Sequence, residues 1–498
     1  MLRNADREKP MYLRIRDELR QRIVAGDIAV GSTLPPSRQL ANDLKVSRIT
    51  VTNAYDELKA EGLIDGKVGS GMFVLPAQYW LSTMTKGRKT VIESYSAWQQ
   101  NLSAIEITRR EKSLSMILPQ STIPVSLNFG VGTGDTSLFP IVDVRKIVSE
   151  ILDKGDATAL NYEAYQGFLP LRQVLTRYLR QQSIIVDAEE IYITAGSQQA
   201  VQLVIEALLK PGDCAIVENP TYSIVLSLFE SRGIKVIGIP MDNEGMKDDL
   251  LEAEIQKKSP KLIYTVPTFH NPTGTVMSPM RRSRISALAN RYGVPVLEDD
   301  YIRELRFFNP IPPPIAAWDK HGDIIYVGSF SKSLFPAIRL GYIVARGPIQ
   351  NRLLYLKRVS DLGSSALLQR IMYHFLESGK LQKHWRRLSR IHNRRQAAMI
   401  RALRNHFPAG SSWQSNDGGL WLWIRVPPKV SVATLLESCI RSGVYFSPGE
   451  THFVEPNDQP YIRLNFAALD EKQIENGISI IGSLIHEQLN SGLQAKTT

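Results

Sequence analysis

Tyr12, Ile15, Leu19 and Ile23 recur at three- and four-residue steps, an apolar stripe that predicts an amphipathic helix ending near Gly26-Asp27. Leu40, Ala41 and Leu44 predict a second, short helix with Ser37 at its cap, and the break at Lys45-Val46 separates it from a third. On the third, capped by Ser47, Val51, Tyr55 and Leu58 share the inward face and Arg48, Thr50 and Asn53 point out. The stretch "GLIDGKVGSGMFV" then sets two apolar runs around a Gly-rich turn, the pattern of a β-hairpin. From 76 to 126 the periodicity weakens; Trp80 and Trp98 stand among scattered apolar residues, and the segment reads as a partly helical, mobile tether. Beyond it, "CAIVENP", "KVIGIPM", "KLIYTVP", "VPVLEDD" and "DIIYVGSFS" are short apolar runs that alternate with helical patterns such as "SQQAVQLVIEALLK" and "MRRSRISALANRYG". That alternation predicts an α/β domain with a largely parallel sheet and a ligand site at the strand ends.

A chain of 498 residues exceeds one compact core, so two or more domains are expected. Cys214 and Cys439 follow no metal-ligand spacing, and no metal site is expected. The N-terminus lacks a signal-peptide core and no apolar run approaches a membrane span, which makes the cytoplasm the expected compartment. The net charge of +11 is unevenly placed. Residues 1–75 hold 12 Lys/Arg against 10 Asp/Glu, whereas 346–404 hold 14 against Asp361 and Glu377 alone. Bulk charge therefore does not identify a nucleic-acid reader; the element pattern has to.

Two short helices joined by a tight turn, the second with polar residues at its start, form a helix-turn-helix, and the hairpin supplies a wing. The segments "GSTLPPSRQLA", "VSRITVTNAYDEL" and "EGLIDGKVGSGMFV" resemble the winged helix-turn-helix of the GntR family of bacterial regulators. The resemblance implies that Arg38 and Arg48 reach phosphates or guanine edges, that Thr50 contacts the DNA backbone, and that Gly69 sits at the wing tip. Ser37 and Ser47 suit helix capping as well as DNA contact.

The polar residues just past the later apolar runs support one chemistry together. Lys332, between Ser329, Ser331 and Ser333 in "SFSKSLFPAIRLGY", offers an amine for an aldehyde. Asp299, with Asp300 as its alternative, offers a carboxylate to a pyridine nitrogen. The turn "ITAGSQQA", the serines and Arg339 suit a phosphate, and Asn271 suits a ring oxygen. Over roughly 130–485 the chain looks like the fold-type I pyridoxal-phosphate enzymes, specifically the class I/II aminotransferases. The resemblance makes Lys332 the Schiff-base lysine, working with Asp299 and Tyr301. Asn271 and Tyr301 would bind the ring oxygen, Tyr222 would stack on the ring, and Ser197, Gln198, Ser329 and Arg339 would hold the phosphate. Tyr162 would reach the neighbouring subunit's phosphate, and Arg463 would grip a substrate or effector carboxylate, or else form a structural ion pair.

Both halves together resemble the MocR subgroup: a winged helix-turn-helix (10–76), a linker (77–126) and an aminotransferase-like domain (127–490). The resemblance implies a cytoplasmic, nucleoid-associated, head-to-tail homodimer on a double-stranded DNA operator. Its pyridoxal 5'-phosphate site would sense an amino compound, or the cofactor itself. A working aminotransferase carrying a DNA-binding domain is the competing reading. Finally, residues 380–404 carry nine Lys/Arg and no acid. Lys380, Lys383, Arg387, Arg390 and Arg394 fall on one helical face, where repulsion between like charges is a cost. Lys383, Arg387 and Arg390 are candidates for a second DNA contact; the alternative is a solvated or internally paired face.

Overall fold

The first apolar stripe folds as α1 (Met11–Ala25) and buries Ile15, Leu19 and Ile23. The structure is a computed structural model of the chain that describes residues 10–25, 27–67, 71–75, 125–155 and 157–494, and it divides into two units, Met1–Ile107 and Thr108–Thr498. The expected tether lies almost entirely outside the described residues.

In the first unit α2 (Ser37–Leu44) ends where Lys45 turns left-handed, and α3 (Arg48–Ala60) begins three residues later. Ser47 caps α3 as its position suggests, its Oγ accepting from Thr50 N at 3.2 Å. Ser37 does not cap α2: the extended Pro36 holds the cap position, so Ser37 becomes the first helical residue. Val51, Ala54 and Leu58 are fully buried against α1 and the start of the hairpin, where Leu63 and Ile64 complete the core. The hairpin pairs β1 (Ile64–Lys67) antiparallel with β2 (Gly71–Val74).

The second unit is built on an eight-stranded sheet: β3 (Ile191–Thr194), β4 (Cys214–Asn219), β5 (Lys235–Asp242), β6 (Gly245–Met246), β7 (Leu262–Thr265), β8 (Val296–Asp300), β9 (Ile324–Ser329) and β10 (Gly341–Val344). Their spatial order is β3-β10-β9-β8-β7-β4-β5-β6. The strands from β9 through β5 run parallel, while β10 is antiparallel to both its neighbours. Every residue of β7, β8 and β9 is buried, because layers cover both faces; that is why these strands read as continuous apolar runs. A helix, α4 (Ser197–Leu208), follows β3.

The long α5 (Lys380–His406) leads to a smaller antiparallel sheet of β11 (Ser412–Trp413), β12 (Trp421–Arg425), β13 (Ser447–Pro448) and β14 (Tyr461–Asn465), ordered β11-β12-β14-β13. The closing helix α6 (Glu471–Gln494) packs along α5. No helix among the described residues is long and apolar enough to cross a membrane.

Candidate functional site

Side chains alternate along a strand, and that alternation distributes the acids at the end of β8. Glu298 accepts from the backbone N–H of Ile315 and Ala316 at 2.8 and 2.9 Å. Asp300 accepts from Arg303 Nε at 2.5 Å and from the Tyr326 hydroxyl at 3.2 Å. Asp299, between them, faces a cavity of about 260 Å³ at the carboxyl ends of β7, β8 and β9. The two candidates for one role are thus separated: Asp299 lines the cavity and Asp300 is held by Arg303.

The same cavity collects Lys332, Asn271, Tyr301, Tyr222, Ser197 and Gln198. Ser329, Arg339 and Arg463 lie in it as well. Parallel pairing of β8 with β9 sets Asp299 beside Val327, so the chain leaves β9 at Ser329 and delivers Lys332 to the cavity. Gly196, at φ +91°, precedes α4 and turns that helix's N-terminal end toward the site. A Cβ there would come within 3.1 Å of Arg339 Nη2, so a bare glycine lets the guanidinium lie against the turn and donate to Ala195 O at 2.9 Å.

Each titratable group in the cavity has a physical cause for its state. Burial first, then the Arg463 and Arg339 charges, pull the Lys332 amine down to about 8. Burial pushes the Asp299 carboxyl up to about 7, opposed by the Tyr264 hydroxyl that donates to Oδ2 at 2.9 Å. Burial likewise pushes the Tyr222 phenol up to about 12. Tyr301 keeps its proton and donates it to Phe269 O at 3.0 Å, with its ring stacked on Trp421 at 6.0 Å between centroids. Arg463 Nη1 donates to Asn271 Oδ1 at 2.8 Å, and the guanidinium lies 4.7 Å from the Trp421 ring centre. No acid pairs with Arg463 among the described residues, so the structural ion pair is not what holds it.

Sequence reading missed Tyr264, Trp421 and the glycines Gly130 and Gly132, all of which line the cavity. Tyr264 and Trp421 looked like ordinary apolar strand residues, and nothing local marks the glycines. Tyr162 is 83% exposed and does not line this cavity.

On the first unit, Arg38 and Arg48 are exposed, the latter at the start of α3. Thr50 is half-buried, its hydroxyl 2.8 Å from Ser47 Oγ, and Gly69 lies outside the described residues. On α5, Lys380 pairs with Asp143 at 3.0 Å and Arg394 approaches Glu471 at 3.8 Å. Lys383, Arg387 and Arg390 between them are exposed and pair with no described acid.

Residues 122–481 match the family described as "Aminotransferase class I and II". The chain belongs to that family. Residues 11–74 match "Bacterial regulatory proteins, gntR family", so the aminotransferase domain carries a GntR helix-turn-helix domain. The chain is 33% identical over 480 residues to the uncharacterized HTH-type transcriptional regulator YdfD of Bacillus subtilis, covering 96% of this chain and 97% of that one. It is 28% identical to the probable rhizopine catabolism regulatory protein MocR of Rhizobium meliloti, covering 98% and 96%. The kynurenine aminotransferase of Pyrococcus horikoshii, solved in complex with PMP, superposes with a TM-score of 0.72 at 33% identity, over 80% of this chain and 98% of that one. This architecture is that of a DNA-binding regulator of the MocR type with an aminotransferase domain that takes pyridoxal phosphate.

The residues present fit that cofactor. Asp299 Oδ1 and Ser331 Oγ are buried in the cavity wall with no hydrogen-bond partner among the described residues, an acceptor and a hydroxyl left for a bound group. A Cβ on Gly132 would lie 3.5 Å from Lys332 Nζ, so the absent side chain leaves the amine approachable.

Proposed function

We propose that this regulator senses an amino compound, or pyridoxal 5'-phosphate itself, at the Lys332 cavity and changes its operator binding in response. The observation that carries the reading is the joint presence, in one cavity, of a lysine with a lowered pKa, a buried carboxylate, and an arginine with no acid partner among the described residues. When bound, pyridoxal phosphate supplies an aldehyde carbon and an electron-accepting ring. Lys332 would provide the amine for that carbon. Asp299 would accept from the ring nitrogen, its carboxylate oriented by Tyr264. Asn271 and Tyr301 would bind the ring oxygen and Tyr222 would pack on the ring. Ser197, Gln198, Ser329 and Arg339 would hold the phosphate.

Arg463, already oriented by Asn271, is the binding point for an effector carboxylate. Tyr162, exposed on a single chain, reaches the phosphate of a neighbouring subunit in a head-to-tail homodimer. A ligand alters DNA binding only through its unequal affinity for two arrangements of the protein. Arg38, Arg48, Thr50 and Gly69 contact the operator, and the unpaired Lys383, Arg387 and Arg390 add a sequence-independent contact to its phosphates. The protein acts in the cytoplasm, on the nucleoid.

The complete cofactor set also favours a second reading, an active aminotransferase with an attached DNA-binding domain. Turnover of amino donors with a panel of keto acids separates the two. The sensing reading predicts at most slow transfer, about one event per site; many turnovers at ordinary metabolic rates contradict it.

A further inference from the structure

A second cavity, of about 650 Å³, opens between α5 and the segment that follows β8. It shares no lining residue with the Lys332 cavity. Arg306, Arg386 and Arg390 line it, all exposed, and none forms an ion pair with a described acid. Beside them stands an apolar wall of Phe307, Phe308, Ile311 and Pro313, in which the Phe308 ring is 75% exposed.

The remaining wall holds unsatisfied polar atoms. Trp385 is 8% exposed, and its indole Nε1 has no acceptor. Gln382 Oε1 and Glu304 Oε2 are buried without a donor, although Tyr178 donates its hydroxyl to the other Glu304 oxygen. A buried polar atom left unpaired is destabilising, and a bound ligand can satisfy it. Burial also pushes the Glu304 carboxyl up to about 7, so near neutral pH it cancels only part of the cationic charge.

We propose that this cleft binds a small phosphorylated molecule with a flat apolar body, its phosphate held by Arg306 and Arg386 and its ring laid against Phe307 and Phe308. Guanidiniums match phosphate oxygens in bidentate geometry, and two of them balance the charge of a dianion. A concave site of about 650 Å³ lies in the range of about 300–1,000 Å³ typical of small-ligand pockets. The floor touches the cofactor side of the fold: Arg303, which lines the cleft, holds Asp300 at 2.5 Å, next in sequence to Asp299. The proposal stands whether or not the Lys332 cavity is a sensor.

Calorimetry on the full-length protein saturated with pyridoxal phosphate tests it, with adenosine 5'-monophosphate as the probe and adenosine as the neutral control. The expected result is one site per chain that takes the monophosphate at least about tenfold more tightly than adenosine, with the cofactor's visible absorbance unchanged. Arg306→Gln and Arg386→Gln, both on the surface, should each weaken binding by about tenfold. Quenching of tryptophan fluorescence on binding should be lost in Trp385→Phe. Equal binding of adenosine, unchanged affinity in both arginine variants, or displacement of the cofactor by the monophosphate overturns the proposal. So does the absence of probe binding combined with weaker operator binding in the same variants, which assigns the arginines to DNA instead.

Discussion

The Tyr264 hydroxyl donates to Asp299 Oδ2 at 2.9 Å, while Oδ1 of the same carboxylate is buried with no partner among the described residues. One oxygen is anchored to the sheet and the other is left for the ligand. Removing the anchor in Tyr264→Phe takes away the interaction that lowers the Asp299 pKa, so the carboxyl moves further up. Cofactor titration should show affinity reduced by roughly fivefold, about 1 kcal/mol, with the loss growing as pH falls.

The same carboxyl makes a prediction about stability without cofactor. Its folded pKa is raised from 3.8 to about 7, so its contribution is fully present below about pH 4 and is lost as pH rises through about 7. Cofactor-free Asp299→Asn should therefore melt above the cofactor-free wild type at pH 8, with the difference closing toward pH 4. Differential scanning calorimetry at the two pH values reads this directly.

The Lys332 amine is held near 8 partly by the positive charge of Arg463. In Arg463→Gln that repulsion is gone and the lysine pKa rises. The pH midpoint for alkylation of Lys332 in the cofactor-free protein, followed by peptide mass mapping, should lie near 8 and move upward in the variant. A midpoint that stays put means the two charges do not sense each other.

In the DNA-binding unit, cap and contact separate cleanly. Ser47→Ala removes the acceptor for Thr50 N and should lower stability by about 1 kcal/mol. Arg48→Ala leaves the melting temperature alone and weakens operator binding by about 1–3 kcal/mol, seen by fluorescence anisotropy.

Replacing Lys383, Arg387 and Arg390 together by Gln should flatten the dependence of operator affinity on salt. If all three reach phosphates, the log–log slope falls by about 2–3. An unchanged slope leaves them as a solvated face.

Much of this was legible because two kinds of pattern are local. The stripe Tyr12, Ile15, Leu19, Ile23 and the inward set Val51, Tyr55, Leu58 fix a helical face by spacing alone, and all but the half-buried Tyr12 are buried. The five runs read as parallel-sheet strands are strands, with β7, β8 and β9 buried throughout. What the spacing could not give depends on three-dimensional neighbours. The choice between Asp299 and Asp300 turned on which side of β8 each occupies. Tyr264 and Trp421 entered the cavity from strands whose residues look like core, and Arg463 became available because its partner is a neutral asparagine. Ser37 failed as a cap because Pro36 already held the extended conformation the cap requires.

The central claim is that occupancy at Lys332 governs DNA binding, and the most direct measurement is operator affinity by anisotropy, with and without pyridoxal phosphate and a panel of amino compounds, for wild type and Lys332→Ala. The account predicts that at least one of these ligands shifts wild-type affinity by fivefold or more, a coupling of about 1 kcal/mol, and that the variant is unresponsive. An equal shift in Lys332→Ala, or no shift in the wild type with any ligand, contradicts it.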